Sequence, residues 1–280
     1  MKKNLLNLVM ISFLMLFVTT SCSSDDNIIV NEIDKDDEDD DQEEEEEEEE
    51  EEEQPKEVHF NDARLELVVK NLLGLEANDP ITEENILELV ELNIDGSKDV
   101  TPNGDIREIS DLTGLEYALN LTYLHFGETK VTDLQPIGGL QKMDYLRMND
   151  TGVTDLTPIS AYTTLTYFNA NTTTGITDIS PLAGNTGLKE IILRSVPFGD
   201  AGMATIANFT NLYRINMRST GVTDITVLGQ LMSQGALLDT TPGAAAEGGA
   251  TLDLRGLDVE DWSPIEPYLD QISNLEGYPG

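Results

Sequence analysis

The sequence is poor in the residues that carry most enzyme chemistry. It has one cysteine, two histidines and one tryptophan among 280 residues. One cysteine excludes a disulfide bond within the chain, and no zinc-ligand spacing, phosphate-binding glycine loop or nucleophile elbow occurs. We therefore expect a protein that is not an enzyme and that holds no cofactor or metal. A carboxylate pair of the glycosidase type is left open, because acidic residues occur throughout the chain.

Basic residues are also scarce, since 16 lysines and arginines stand against 54 acidic residues, for a net charge of −38. Such a field repels nucleic acids and anionic membrane surfaces, so a nucleic-acid partner is not expected. Acidic residues are densest between Asp25 and Glu57, where 22 of them include the run from Glu43 to Glu53. Their mutual repulsion predicts a disordered acidic linker over 22–57, although an acidic binding tail is an alternative.

The longest apolar run, LLNLVMISFLMLFV at 5–18, is too short for a comfortable bilayer span. Lys2 and Lys3 precede it, and small residues follow it at 19–21. This order of basic, apolar and small residues predicts a secretory signal peptide over 1–21.

Cys22 directly follows that segment, and its setting resembles the lipobox of bacterial lipoproteins, with Thr19 where leucine is commoner. The resemblance implies a lipid on Cys22, which would be the only membrane attachment. The residues SSDDN at 23–27 resemble an acidic export tag. Together these features predict an outer membrane lipoprotein exposed at the cell surface; a signal peptide with an incidental cysteine is the alternative.

One phrase recurs along the rest of the chain. TGVTD occurs at 151–155 and 220–224, and variants of it occur at 130–137 and 175–182. Five units in the pattern L-x-x-L-x-L begin at spacings of 22 to 24 residues, at Leu121, Met143, Leu165, Leu188 and Leu212. An earlier unit begins at Leu89, and a later one contains Leu252. Each pattern predicts a short strand with alternate residues buried.

This pattern resembles the leucine-rich repeat, and its second half, as in SDLxPL, resembles the internalin-like bacterial subclass. The resemblance implies an α/β repeat solenoid over 89–280: a horseshoe with a parallel concave sheet, short helical or 3-10 convex turns and an N-terminal helical cap at 58–88. One unit of about 22 residues buries too few side chains to offset its backbone entropy, so the units must stack to fold.

The capping segments are predicted from local patterns. In the stretch 62–74 the apolar residues share one helical face, namely Leu65, Val68, Val69, Leu72 and Leu73, and Gly74 ends the helix. A second short helix is predicted to start near Thr82. At the other end, Trp262 and Tyr268 are expected to close the core.

Two polar columns accompany the repeat. Threonines at 129, 151 and 220 occupy the place where the common repeat has a buried asparagine. The unit that begins at Leu165 keeps Thr173 in this place but is one residue longer before Ile176. An aspartate follows in six units, at Asp111, Asp133, Asp155, Asp178, Asp224 and Asp261. We expect these carboxylates to support the convex turn rather than bind metal, with Ser or Thr as N-cap and proline at the first helical position.

The loop DVTPNGDIREIS at 99–110 partly matches a calcium-binding loop. Asp99, Asn103 and Asp105 occupy ligand positions, but Thr101 and Ser110 stand where two further ligands are required. A Pro-Asn-Gly turn is the favoured interpretation.

The predicted concave face carries two conspicuous residue types. Tyr123, Tyr145 and Tyr167 should form a ladder on three adjacent strands. Six of the 12 basic residues that follow position 57 gather on the same face, at Arg147, Lys189, Arg194, Arg214, Arg218 and Arg255, with His125 among them. Tyrosine and arginine are enriched at binding hot spots, although stacking between rings and pairing with nearby acids would also explain them.

The sequence therefore predicts a monomeric, surface-anchored recognition or adhesion protein that binds a protein or glycan on its concave face. A structural or accessory subunit of a cell-envelope complex is the alternative.

Overall fold

The computed structural model of the protein describes residues 55–94, 100–101 and 104–280. The predicted signal peptide, Cys22 and all but the last three residues of the acidic linker lie outside this part of the chain. No helix within the described residues has the length and apolar character needed to cross a membrane.

Eight short strands form one parallel sheet, and their spatial order follows their order in the chain. The eight strands are β1 (Glu91–Asn93), β4 (Tyr123–His125), β5 (Tyr145–Arg147), β6 (Tyr167–Asn169), β7 (Glu190–Ile192), β8 (Arg214–Asn216), β9 (Thr251–Asp253) and β10 (Asn274–Glu276). A separate antiparallel pair is formed by β2 (Val100–Thr101) and β3 (Gly104–Asp105). Each coil of the chain thus contributes one strand, as the repeat predicts.

The register of the sheet follows the sequence period without a slip. Tyr123 pairs with Tyr145, and Tyr145 with Tyr167, so equivalent residues of successive units lie side by side. The core positions behave in the same way, and Leu124, Leu146 and Phe168 are fully buried one above the other. The predicted solenoid with a continuous aliphatic interior is confirmed.

The N-terminal end is closed by α1 (Ala63–Leu73). Asp62 caps its start by accepting from the backbone N–H of Arg64, and Gly74 ends it in the left-handed conformation. Leu65 and Val69 are buried as predicted, but Leu72 is 54% exposed and lies off the buried face. The predicted second helix is a 3-10 turn that begins later than expected, at Asn85–Glu88.

The C-terminal end contains a strand that the sequence pattern did not predict. Ile272 and Leu275 fit the first two core positions of the repeat, but the third is Gly277. A Cβ atom on Gly277 would lie 2.6 Å from the backbone nitrogen of Arg255. There is thus no room for an aliphatic side chain at the third core position, and the repeat pattern is incomplete in this unit. Trp262 packs edge-to-face on Tyr278, with ring centroids 5.4 Å apart, and together with Tyr268 it covers this end of the core.

The convex side consists of short helical turns. Two of the turns are α-helices, α2 (Met203–Ile206) and α3 (Thr226–Ser233), and the rest are 3-10 turns at Ile106–Glu108, Leu115–Tyr117, Gln135–Ile137, Thr157–Ile159, Ser180–Leu182, Asp200–Gly202, Ala244–Glu247 and Glu266–Gln271. These turns pack closely. A Cβ atom on Gly138 would lie 2.7 Å from the backbone carbonyl oxygen of Pro158 in the next repeat.

The aspartate column caps these turns. Asp155 accepts a hydrogen bond of 2.8 Å from the backbone N–H of Thr157, and the same bond recurs in all six units that carry the aspartate. The prediction of Ser or Thr as N-cap was wrong: Thr157 is the first residue of its turn, and Pro158 is the second. The aspartate two residues earlier satisfies the exposed donor instead.

The threonine column bonds to the backbone, but not in a uniform way. The hydroxyls of Thr129, Thr151 and Thr220 each donate to the carbonyl three residues earlier in their own unit. Thr173 donates instead to Met148, in the preceding repeat. The extra residue before Ile176 therefore shifts the position of this hydroxyl.

A third column was not predicted. Immediately after the concave residues, successive units place a non-glycine residue at positive φ, at Glu128, Asp150, Thr172, Ser195 and Ser219. The backbone N–H of each donates to the next repeat, as Ser195 does to the carbonyl of Arg218 at 2.8 Å. Inter-repeat bonding therefore continues beyond the strands.

In the 99–110 loop, β2 and β3 pair in antiparallel register, Val100 with Asp105 and Thr101 with Gly104. The predicted Pro-Asn-Gly turn falls on residues 102–103, which lie outside the described residues. The carboxylate of Asp105 accepts from the Arg107 guanidinium at 2.6 Å and from its backbone N–H. Asp99 and Asn103, the other candidate calcium ligands, lie outside the described residues.

Candidate ligand-binding face

The concave face of the sheet is built from three columns of side chains, one residue per repeat in each column. The first column runs Glu91, Tyr123, Tyr145, Tyr167, Glu190, Arg214 and Thr251; the second runs Asn93, His125, Arg147, Asn169, Ile192, Asn216 and Asp253. The third follows the strands and includes Asn149, Asn171, Arg194, Arg218 and Arg255. Because the register has no slip, neighbours within a column are about 4.8 Å apart.

The three tyrosines of the first column form a stacked ladder. The rings of Tyr123 and Tyr145 have centroids 4.2 Å apart, and those of Tyr145 and Tyr167 are 4.1 Å apart and nearly parallel. Both faces of the middle ring are therefore covered, and all three tyrosines are half-buried. Burial, followed by hydrogen bonding with the two neighbouring hydroxyls, raises the pKa of Tyr145 above its ordinary value.

Each end of the ladder meets a glutamate, because Glu91 pairs with Tyr123 and Glu190 pairs with Tyr167. The hydroxyl of Tyr167 accepts a hydrogen bond of 2.9 Å from the side-chain amide of Asn169. The ladder is thus a fixed polar row rather than an open aromatic platform.

His125 and Arg147 lie beside the ladder in the second column. His125 was expected to contact a ligand, but it is only 4% exposed and lies beneath the surface of this face. Burial, together with the charge of Arg147, lowers the pKa of His125 to about 4, while a hydrogen bond with Asn149 acts in the opposite direction. The guanidinium of Arg147 donates to Asn149 at 2.6 Å and remains half-buried.

Two arginines at the C-terminal end are engaged by neighbouring acids. Arg214 donates to Glu190 at 2.8 Å, and the other oxygen of Glu190 accepts from the hydroxyl of Tyr213 at 2.9 Å. Burial and this hydrogen bond to Glu190 raise the pKa of Tyr213 to about 12.

Arg255 forms a bidentate pair with Asp253, with N–O distances of 2.8 and 2.7 Å. Asp253 also accepts from Asn216. Hydrogen bonds from Arg255 are the main cause of the lowered pKa of Asp253. The sequence could place these acids in the columns but could not show that their oxygens are already used.

Three further cations remain outside such pairs. Lys189 precedes β7 and is exposed, whereas Arg194 and Arg218 occupy adjacent places in the third column. Within the described residues, none of these three side chains makes a hydrogen bond or ion pair, and the charge of Arg218 reaches Asp253 only at longer range. In the same part of the chain, no cluster of three acidic, histidine or cysteine side chains could hold a metal.

Comparison with solved structures agrees with this architecture. The internalin InlF from Listeria monocytogenes superposes with a TM-score of 0.54 at 23% identity, over 80% of this chain and 72% of that one. Internalin C2 from the same organism gives 0.57 at 19% identity, over 76% and 93% of the two chains. The fold is a leucine-rich repeat horseshoe. At these identities the likeness shows the fold alone.

No protein-family model matches the chain, and no curated protein matches it in sequence. The three columns of the horseshoe are therefore the basis for any statement about what the protein binds.

Proposed function

We propose that this protein is a recognition module that binds a partner protein along the concave face. The observation that carries the proposal is the ordered display of side chains there: a ladder of tyrosine hydroxyls, followed by cations, on a sheet held by backbone bonds between every pair of repeats. A rigid face of this kind loses little conformational freedom on binding, which favours affinity.

The tyrosine ladder favours a protein over a glycan. Sugars commonly stack on an exposed aromatic face, whereas Tyr145 has both faces covered by its neighbours. Ring edges and hydroxyls suit the backbone and polar side chains of a protein better, because hydroxyls both donate and accept.

The proposal includes the attachment of the module to the cell. The signal peptide over 1–21 would be removed on export. A lipid on Cys22 and the acidic linker over 22–57 would then hold the repeats away from an outer membrane. Several acyl chains on one cysteine give stable anchoring. Metabolic labelling with a fatty-acid analogue, compared between the full chain and Cys22→Ser, tests this part. Equal labelling of both would overturn it.

The binding face is tested with purified full chain on arrays of proteins and glycans, followed by calorimetry on each hit. Tyr145→Ala removes the middle ring of the ladder and should lower the affinity for the partner at least tenfold. The matched convex variants Ser160→Arg and Thr163→Arg alter exposed positions and should leave the affinity unchanged. Thermal unfolding of each variant establishes that it is folded.

Two results would contradict the proposal. One is binding that survives Tyr145→Ala but is lost in a convex variant, which would place the interface on the other side. The other is a set of hits that consists of glycans alone, which would replace the partner class.

A further inference from the structure

Two carboxylates at the C-terminal end of the concave face already accept hydrogen bonds from neighbouring side chains. Glu190 accepts from Tyr213 and Arg214, one at each oxygen. Asp253 accepts from Arg255 at both oxygens and from Asn216 at one. Asp253 therefore has its acceptor positions filled, whereas each oxygen of Glu190 already accepts one hydrogen bond.

Arg194 and Arg218 occupy adjacent places in the third column, after β7 and β8. Their backbones are adjacent, because the N–H of Ser195 donates to the carbonyl of Arg218 at 2.8 Å. Two guanidinium groups thus project from neighbouring repeats about 4.8 Å apart at the backbone. Their own charges repel each other, and no internal carboxylate among the described residues pairs with either.

This arrangement is unexpected in so acidic a chain. After Glu57 the sequence holds 32 acidic residues and only 12 basic ones. With so many carboxylates available, each arginine would be expected to have an acidic partner within the chain. An unpaired pair of guanidinium groups on the inner face matches the geometry of carboxylates, which arginine binds through two parallel hydrogen bonds.

We propose that Arg194 and Arg218, supported by Lys189, form a docking site for an acidic peptide segment of the partner protein. The inference rests on the proposed function and specifies the chemistry of the partner. Beside this pair, Ile192 offers a half-buried apolar contact, and the tyrosine ladder continues the face toward the N-terminal end. An extended acidic segment would place carboxylates on the arginines and its polar backbone along the hydroxyls.

The test uses fluorescence anisotropy with the full chain and a labelled (Glu-Ser)₄ peptide, with (Gln-Ser)₄ as the neutral probe. We expect the acidic peptide to bind and the neutral one to bind at least tenfold more weakly. Raising the salt from 50 to 500 mM should weaken the acidic peptide further, because the contacts are ionic and partly exposed.

Two double variants distinguish binding at Arg194 and Arg218 from an effect of the overall net charge. Arg194→Glu combined with Arg218→Glu should abolish binding of the acidic peptide. The control combines Lys130→Glu with Lys142→Glu, which changes the net charge equally at two exposed positions outside the concave columns. This control should bind as the unmodified chain does. Equal losses in both double variants would overturn the proposal, since only overall charge would then matter.

Failure of this inference can be told from failure of the proposed function. If a partner found on the arrays is lost in Tyr145→Ala but binds normally to the Arg194/Arg218 variant, the concave face stands and the acidic docking site falls. If polygalacturonate binds the pair and the acidic peptide does not, the carboxylates belong to a glycan and the peptide proposal is overturned.

Discussion

The carbonyl oxygen of Met148 accepts a hydrogen bond of 2.9 Å from the hydroxyl of Thr173, which belongs to the following repeat. The same oxygen accepts from Thr151 in its own repeat. One backbone acceptor thus joins two successive threonines of the column. Among the described residues, the carbonyl of Phe126 accepts from a single threonine hydroxyl, that of Thr129.

This difference predicts unequal costs for the same substitution. Thr173→Val should lower the free energy of unfolding by about 1 kcal/mol, because Met148 keeps its bond from Thr151. Thr129→Val should cost more, about 1–3 kcal/mol, because it removes the one hydroxyl that reaches the carbonyl of Phe126. Urea unfolding of both variants measures this order. The reverse order would show that the shared acceptor does not compensate.

The left-handed column predicts a stabilising substitution. Thr172 is exposed and β-branched at φ 63°, a conformation that costs such a residue roughly 1–2 kcal/mol. Thr172→Gly removes this cost and should raise the unfolding midpoint by about 2–4 °C. Thr174→Gly is the matched control at ordinary φ, and it should lower the midpoint. A lower midpoint for both variants would contradict the prediction.

Close packing of the convex turns predicts a contrast between two adjacent glycines. Gly138→Ala would place its Cβ 2.7 Å from the carbonyl oxygen of Pro158, so the two repeats must separate. We expect a loss of about 1–3 kcal/mol. Gly139→Ala meets nothing within 4 Å and should change stability by less than about 0.5 kcal/mol. Thermal unfolding of the two variants tests the contrast, and equal effects would sink it.

The aspartate caps predict a sensitivity to acid. The hydrogen bonds from Thr157 lower the pKa of Asp155 below its ordinary value of 3.8. Because the pKa of Asp155 is lower in the folded state, the stability that its ionised carboxylate contributes is complete above pH 3.8. This stability is lost as the pH falls through the folded-state pKa. Asp155→Asn keeps an acceptor oxygen but cannot titrate, so its stability should vary less below pH 4.

At pH 7, Asp155→Ala should be less stable than Asp155→Asn, because alanine leaves the Thr157 N–H without its acceptor. Asp258→Ala is the control, at an exposed carboxylate that accepts no hydrogen bond from the described residues. Chemical unfolding across pH 2–7 gives the profiles. The prediction fails if the asparagine variant loses stability in acid as steeply as the unmodified chain.

His125 predicts a second pH dependence, at higher pH. Its pKa falls from 6.5 to about 4 because the ring is buried. The folded state favours the neutral ring. The contribution of His125 to the free energy of unfolding is therefore complete above pH 6.5, and it is lost progressively as the pH falls to about 4. The loss is about 3 kcal/mol.

His125→Asn should therefore flatten the stability profile between pH 6.5 and 4, whereas His59→Asn, at an exposed position, should leave it unchanged. An NMR titration of the imidazole signals gives an independent measurement. A ring that titrates near pH 6.5 would refute the assignment.

The sequence predicted the sheet well because most of its strands carry the same repeated aliphatic pattern. Seven of the eight strands lie where the pattern places them, and the pairing of Tyr123, Tyr145 and Tyr167 follows from the period. Strand β10 was missed because Gly277 replaces its third core residue. Leu72 was misassigned because helical spacing does not show where the buried stripe ends.

Local details depended on bonds that sequence spacing does not show. The turn starts one residue earlier than the Ser/Thr-Pro pair suggested, at the Ser or Thr itself, so the capping role passes to Asp155 and its equivalents. Pairing of the arginines with nearby acids, Glu190 and Asp253 among them, was an alternative at the sequence level, but the sequence did not show which arginines would pair. Glu190 and Arg214 are 24 residues apart, and only the folded sheet shows that they meet while Arg194 and Arg218 do not join them.

The slip-free register has a consequence for how such a chain can change over time. Since every coil adds one rung to each column, duplication of a coil would lengthen the inner face by about 4.8 Å while leaving older rungs in place. Substitution of a single residue on the concave face would likewise alter binding without disturbing the aliphatic core. Binding specificity and stability can therefore evolve separately in this protein.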